Sequence, residues 1–332
     1  MSLRCALLLA CLLACRPGWC DRVLVDGFDP PEFAAVTGWS DEFSDAATLD
    51  DWQRVWQAEH WQADQLQAYD IGATRDGWLT MLPYTSVWYS DYRAELAFHT
   101  LSGDFAVTTH VQSRNRGGSG APGSTNGGAV GSEYSLAGIM LRAPRPEWLA
   151  DPDASPSNWW VQGDERYVFL SFGSATVPGM YQFEVKTTTA ANPSSQSVLN
   201  ISDAAAGTTE AELRSVRIGP HILMLRREPG HEWVVHRRYR RDDLLGPLQA
   251  GMTCYTDWAI ASTWPYFDQN DSVITHAYGN PGTAADPDLL AQFDYVRFAR
   301  PLVPQELHGA DLSNPGAISD AALLAFLGDA LD

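Results

Sequence analysis

The sequence predicts an all-β protein made of two stacked antiparallel sheets, with a short helix near the C-terminus. Three observations carry this. Short runs rich in β-branched and aromatic residues alternate with turn-rich segments, and no long 3.6-residue apolar period occurs before the C-terminus. About a dozen such runs follow one another without intervening helices, which points to a sandwich rather than a parallel α/β sheet. A chain of 332 residues can be filled by one large sandwich, and its 13 Trp, 12 Tyr and 12 Phe supply ample core surface, which excludes a disordered chain. Lys+Arg 22 against Asp+Glu 41 gives a net charge of -19, so nucleic acid is excluded as a general partner.

From the N-terminus, Arg4 is followed by an apolar run from Cys5 to Ala14. This is shorter than the roughly 20 residues that span a bilayer, so it reads as the core of an export signal. Leu12-Leu13-Ala14-Cys15 resembles a bacterial lipobox, with Leu8-Leu9-Ala10-Cys11 as a second register. Acylation of Cys15 and ordinary cleavage with free secretion are both open, and a membrane is expected only through such a lipid. The organisation expected is a signal over residues 1–19, a linker over 20–38, the sandwich over 39–302 and a tail over 303–332. Cys20 and Cys254 would remain after export and could form a disulfide; a buried, unpaired Cys254 is the alternative. No Cys/His cluster has zinc spacing, and no organic cofactor is expected.

The strands follow in order: Trp78–Leu82, Ala94–Phe98 and Phe105–Gln112, the last with Phe105, Val107 and Val111 on one face and His110 and Gln112 on the other. Then come Leu136–Arg142, Tyr167–Phe172, Tyr181–Lys186, Ser215–Ile218, Ile222–Arg227, Trp233–Tyr239, Gln249–Tyr255 and Phe293–Phe298. Long loops over Arg116–Gly131, Pro144–Gly163 and Trp264–Asp286 are candidate binding-site walls. Ala317–Leu327 reads as the helix, with Ser319 or Asp320 as N-cap and Gly328 at its end.

Several stretches carry a family resemblance. Trp39-Ser40-Asp41-Glu42-Phe43, Gly103-Asp104-Phe105-Ala106-Val107, Ala137-Gly138-Ile139-Met140-Leu141-Arg142, Gly246–Met252 and Phe293–Phe298 resemble, in order, strands of concanavalin A-like lectin/glucanase domains, including laminin G-like modules. The resemblance covers about residues 39–300. It implies a jelly-roll sandwich with a concave sheet and an opening strand at Trp39–Phe43. It does not single out one activity, because lectins, hydrolases, lyases and adhesion modules share the fold. Many relatives carry a structural calcium between first and last strands, for which Asp41 and Asp294 are the candidates.

Three chemistries are weighed. Glu95 and Glu184 could meet across the concave sheet as a hydrolase pair, which requires carboxyls about 5–9.5 Å apart. Arg93-Ala94-Glu95-Leu96 resembles a strand of jelly-roll alginate lyases, and Arg93, His110, Gln112, Tyr181 and Lys186 supply the residue types for such chemistry without the family spacing. Glycan binding needs only exposed rings flanked by polar groups. Trp88, Trp159, Trp160 and Trp264 are its candidates, while Trp52, Trp78 and Trp258 are assigned to the core. Arg238 and Arg240 are candidates for an edge patch gripping acidic sugars, on a hairpin centred at Pro229-Gly230 that would oppose Arg226 to Trp233; local neutralisation by nearby acids is the alternative. The favoured reading is an exported glycan-binding sandwich. A glycan-degrading enzyme and a protein-binding adhesion module are the rivals, and the oligomeric state is left open.

Overall fold

The computed structural model describes residues 36–116 and 131–332, and the residues from Val36 onward form one compact unit. The expected signal, Cys15, Cys20 and most of the Arg116–Gly131 loop lie outside the described residues. No helix among the described residues is long and apolar enough to cross a membrane.

Two seven-stranded antiparallel sheets face each other. The first runs, in spatial order, β1 (Gln53–Arg54), β4 (Glu95–Leu101), β13 (Leu248–Tyr255), β6 (Ser135–Arg142), β7 (Tyr167–Ser174), β8 (Gln182–Thr189) and β9 (Gln196–Asp203). The second runs β12 (Val234–Arg240), β11 (His221–Arg227), β10 (Ala211–Ile218), β5 (Phe105–Asn115), β16 (Leu289–Ala299), β3 (Leu79–Pro83) and β2 (Leu66–Ile71). A small ribbon pairs β14 (His276–Ala277) with β15 (Asn280–Ala284). The whole is a jelly-roll sandwich with a short C-terminal helix.

The period-2 alternation explains the layers. On β5, Phe105, Val107 and Val111 enter the core between the sheets, where they join Ile139, Val168, Phe183, Met252 and Phe293. His110 and Gln112 accordingly face away, as expected. The first sheet is also apolar on its outer side: Leu96, Leu136, Met140 and Phe169 form a second cluster, roofed by Val87, Trp88, Tyr92 and the short helix Trp258–Ala261. A third cluster joins the outer face of β10 and β11 to the tail through Leu312, Leu323, Phe326 and Leu327.

The C-terminal helix spans Asp320–Leu327. The Ser319 side chain accepts from the Ala322 amide, and Gly328 ends the helix. Arg214, fully buried, donates to the carbonyls of Leu327 (2.7 Å) and Gly328 (2.6 Å) and so ties the helix end to β10.

The structure corrects or refines several expectations. Trp39–Phe43 is not a strand: Val36–Trp39 is a 3-10 turn, and Asp41 then makes a single bridge to Val296. The β11–β12 hairpin is shifted by a bulge after Met224, so Arg226 opposes Val234 rather than Trp233. Cys254 is buried in the core with no disulfide partner among the described residues, outside which Cys20 lies. Two sheet-edge strands, β2 and β9, were not anticipated.

Candidate functional site

The outer face of the first sheet carries polar side chains where a β-sandwich ordinarily meets solvent, yet here they are buried. The register explains how they meet. Thr253, Gly138, Ser171 and Glu184 form one row across β13, β6, β7 and β8. The middle two are small, leaving a trough that the Tyr255 side chain crosses from β13 to β8. Its hydroxyl donates to Glu184 Oε1 at 3.1 Å. Gly138 has no alternative: a Cβ there would sit 2.1 Å from the Leu170 carbonyl oxygen.

Lys186, the sole lysine of the chain, follows on the same face of β8. Its ammonium donates to the Tyr255 hydroxyl (2.5 Å) and the Trp88 carbonyl (2.7 Å) and pairs with Glu184 Oε1 at 3.1 Å. Glu184 Oε2 is buried with no hydrogen-bond partner. Burial lowers the Lys186 pKa, opposed by the Glu184 carboxylate. Burial, then the charge on Glu184, pushes the Tyr255 hydroxyl well above its ordinary value, so it remains a donor.

Above this cluster lies a pocket of ≈ 140 Å³ lined by Val87, Tyr89, Tyr134, Lys186, Leu199 and Trp258. An engineered cavity of about 150 Å³ admits a benzene-sized ring, so this pocket is matched to one ring-sized group. Tyr89 and Tyr134 stand edge-on to Trp258, with centroids 5.3 Å and 6.1 Å away. The rim stores backbone strain. Ser90 (φ 51), Tyr134 (φ 53) and Asp257 (φ 66) are left-handed without being glycine, and they flank or include the three rings. Such conformations cost of order 1–3 kcal/mol each and persist where the surroundings over-determine them. Ser90 N is held by Ser197 Oγ at 2.7 Å, Tyr134 N donates to the Ala175 carbonyl at 2.8 Å, and the Asp257 carboxylate accepts from Thr85 and the Asp286 amide.

A second polar cluster lies on the same face. Arg142 reaches Glu165 through Nε (2.8 Å) and Glu59 and Gln249 through Nη1 (2.5 and 2.6 Å). Burial opposes its charge, but Glu165 and Glu59 together hold its pKa above the usual value. Its donors are committed, and it locks the face rather than offering a free charge.

The remaining candidates are dispersed. Glu95 belongs to the inner face of β4, with Arg93 at 3.7 Å and Arg54 at 3.4 Å, so it does not meet Glu184. His110 and Gln112 lie on the outer face of the second sheet, with Asp294 3.2 Å from His110. Tyr181 stacks on Phe172 at 4.9 Å. The lyase candidates are therefore not assembled in one cleft: His110 and Gln112 both reach Glu210 on the second sheet, while Lys186 pairs with Glu184 on the first. Asp41 accepts from the Phe43 amide and the Trp52 indole, and among the described residues no group of three or more His, Cys, Asp or Glu side chains is placed to hold a metal.

Nor are the expected rings exposed. Trp88 is buried and donates to Thr253 Oγ1 at 2.9 Å, and Trp159 is buried edge-on to Trp61. Trp160 and Trp264 are half-buried, the latter donating to the His276 carbonyl. Trp258, assigned to the core, is instead half-buried in the pocket wall. The arginine patch dissolves into local pairs. Arg238 donates to the Ile318 carbonyl and Asp320, holding the C-terminal helix, and Arg240 grips Asp242 through two bonds of 2.9 and 2.8 Å. The neutralisation alternative holds here.

No family model matches the chain, and no curated protein does. Solved structures similar to it include a xylan beta-1,4-xylosidase from Bacillus halodurans (14% identity, TM-score 0.44, 82% of this chain, 40% of that one). They also include a kappa-carrageenase from Pseudoalteromonas carrageenovora (11%, 0.40, 79% and 92%) and lectin I-B4 from Griffonia simplicifolia (13%, 0.34, 68% and 89%). The likeness ends at fold, and no site residue is carried over from it.

Proposed function

We propose that the protein binds glycan, and that the pocket over Glu184, Lys186 and Tyr255 receives one sugar ring. The observation that supports this is the ring-sized opening walled by Tyr89, Tyr134 and Trp258, each positioned by a strained, hydrogen-bonded loop. Sugars offer apolar C–H faces to aromatic rings and hydroxyls to polar groups. Glu184 and Lys186 neutralise each other, so the pocket suits a neutral sugar better than a uronate. None of the described residues lining the pocket is a carboxylate, which favours binding over two-carboxylate hydrolysis. The export signal expected in residues 1–20 would bring this site to extracellular or cell-wall glycan.

Calorimetric titration of the protein with monosaccharides and soluble glycan oligomers, alongside a reducing-end assay, tests this. Trp258→Ala is expected to weaken binding by about tenfold, equivalent to about 1.4 kcal/mol, with little change in melting temperature. Unaltered binding by Trp258→Ala would remove the pocket from the reading, and release of reducing ends would make the protein a degrading enzyme.

A further inference from the structure

A separate surface lies along the edge of the first sheet, where β1 covers only two residues of β4. Two adjoining hollows there, of ≈ 220 and ≈ 460 Å³, share Trp52. The wall of the smaller is a stack of rings: Trp39 lies 4.4 Å from His99, which lies 4.2 Å from Trp52. Trp39 is 47% exposed, an unusual position for an indole backed so firmly by others. The larger hollow brings Trp148 together with the exposed amide side chains Gln53 and Gln57. The Trp148 indole nitrogen is buried without a hydrogen-bond partner, an uncommon condition for a buried donor.

We infer that this groove binds a stretch of neutral glycan chain, with sugar faces on Trp39 and Trp148 and hydroxyls bonded to Gln53 and Gln57. A ring-sized ligand needs about 150 Å³, so the two hollows accommodate several sugar units where the pocket takes one. Charge selects the class. Asp41 and Asp51 line the smaller hollow, and Arg54 in the larger one is committed to Asp64 and Glu95. A sulfated or uronate chain would meet this acidic edge at a cost, whereas a neutral chain would not. An aliphatic protein segment would leave the amides unpaired.

The inference rests on the reading that the ligand is a glycan, but not on the pocket. Wild type, Trp39→Ala, the double variant Gln53→Ala/Gln57→Ala and Trp258→Ala would be titrated with glucose and xylose and with hexamers from xylan, laminarin and cellulose. Trp39→Ala and the amide double variant are each expected to weaken a hexamer by about tenfold while leaving monosaccharide binding unchanged. Trp258→Ala should weaken the monosaccharide. Hexamer affinity should be insensitive to salt. Wild-type hexamer binding by both groove variants would overturn the groove and leave the pocket standing. Steep salt dependence, or preference for carrageenan over the neutral hexamers, would overturn the neutral class, and no binding of any sugar by wild type would sink both proposals.

Discussion

His99 illustrates how packing rewrites the chemistry of one residue. Its ring is held between Trp39 and Trp52, and burial depresses its pKa from 6.5 to about 4, opposed by Asp41. His236 is lowered similarly, to about 3, by burial and then by Arg237 and Arg226. In both, the unfolded chain takes up a proton that the folded chain refuses. The resulting stability is fully present above pH 6.5 and is lost as pH falls through that value toward 4. Thermal melting between pH 7.5 and pH 4.5, ordinary working limits, should therefore show a falling midpoint, and His99→Phe, which keeps a ring in the stack, should fall less steeply. Parallel curves for the two proteins would assign the acid sensitivity elsewhere. Lys186 makes a complementary case. Lys186→Ala would leave Glu184 as a buried, uncompensated charge, and should cost about 3–5 kcal/mol in denaturant unfolding. A loss below about 1 kcal/mol would mean the pair is solvated.

The strands show where sequence pattern suffices and where it fails. Most strands are readable to within a few residues: β5 by its alternation, and the central strands of the first sheet, buried on both faces, as short apolar runs between turns. The missed strands β2 and β9 are sheet edges whose residues are largely half-covered, so no apolar alternation marks them. Close backbone approach is equally invisible in a pattern. A Cβ at Gly251 would lie 2.0 Å from the Ala97 carbonyl oxygen on the neighbouring β4. Gly251→Ala must part β13 from β4 and should cost at least ~3 kcal/mol, measured by chemical denaturation; a neutral result would show that the sheet yields. The C-terminal helix lies at the legible extreme, since a cap and a glycine stop are local signals. Ser319→Ala should cost about 1 kcal/mol and register as a lower melting temperature.

At the scale of the whole molecule, three apolar clusters hold the described residues together. Cys254 lies among core side chains, and burial raises its thiol pKa far above the ordinary value. Melting in the presence and absence of a reductant should coincide; a midpoint lowered by the reductant would reveal a disulfide involving this residue. The tail is part of the same body, because Arg238 binds the start of its helix while Arg214 and Arg227 bind its end, both pairing with the Asp332 side chain.

The sequence by itself determined the all-β class, the inward and outward faces of β5, and the terminal helix with its caps. Each depends on periodicity or on interactions within a few residues. It also offered Glu184 and Lys186 as candidates, the first for a hydrolase pair and the second for lyase chemistry. Only the tertiary structure decided that they sit beneath Tyr89, Tyr134 and Trp258, which come from three segments far apart in the chain. It likewise decided that Arg238 holds a helix and that Trp88 is roof rather than platform. A side chain's partners across a sandwich are fixed by strand order and register, and those arise from the packing of the whole chain, which no local window contains.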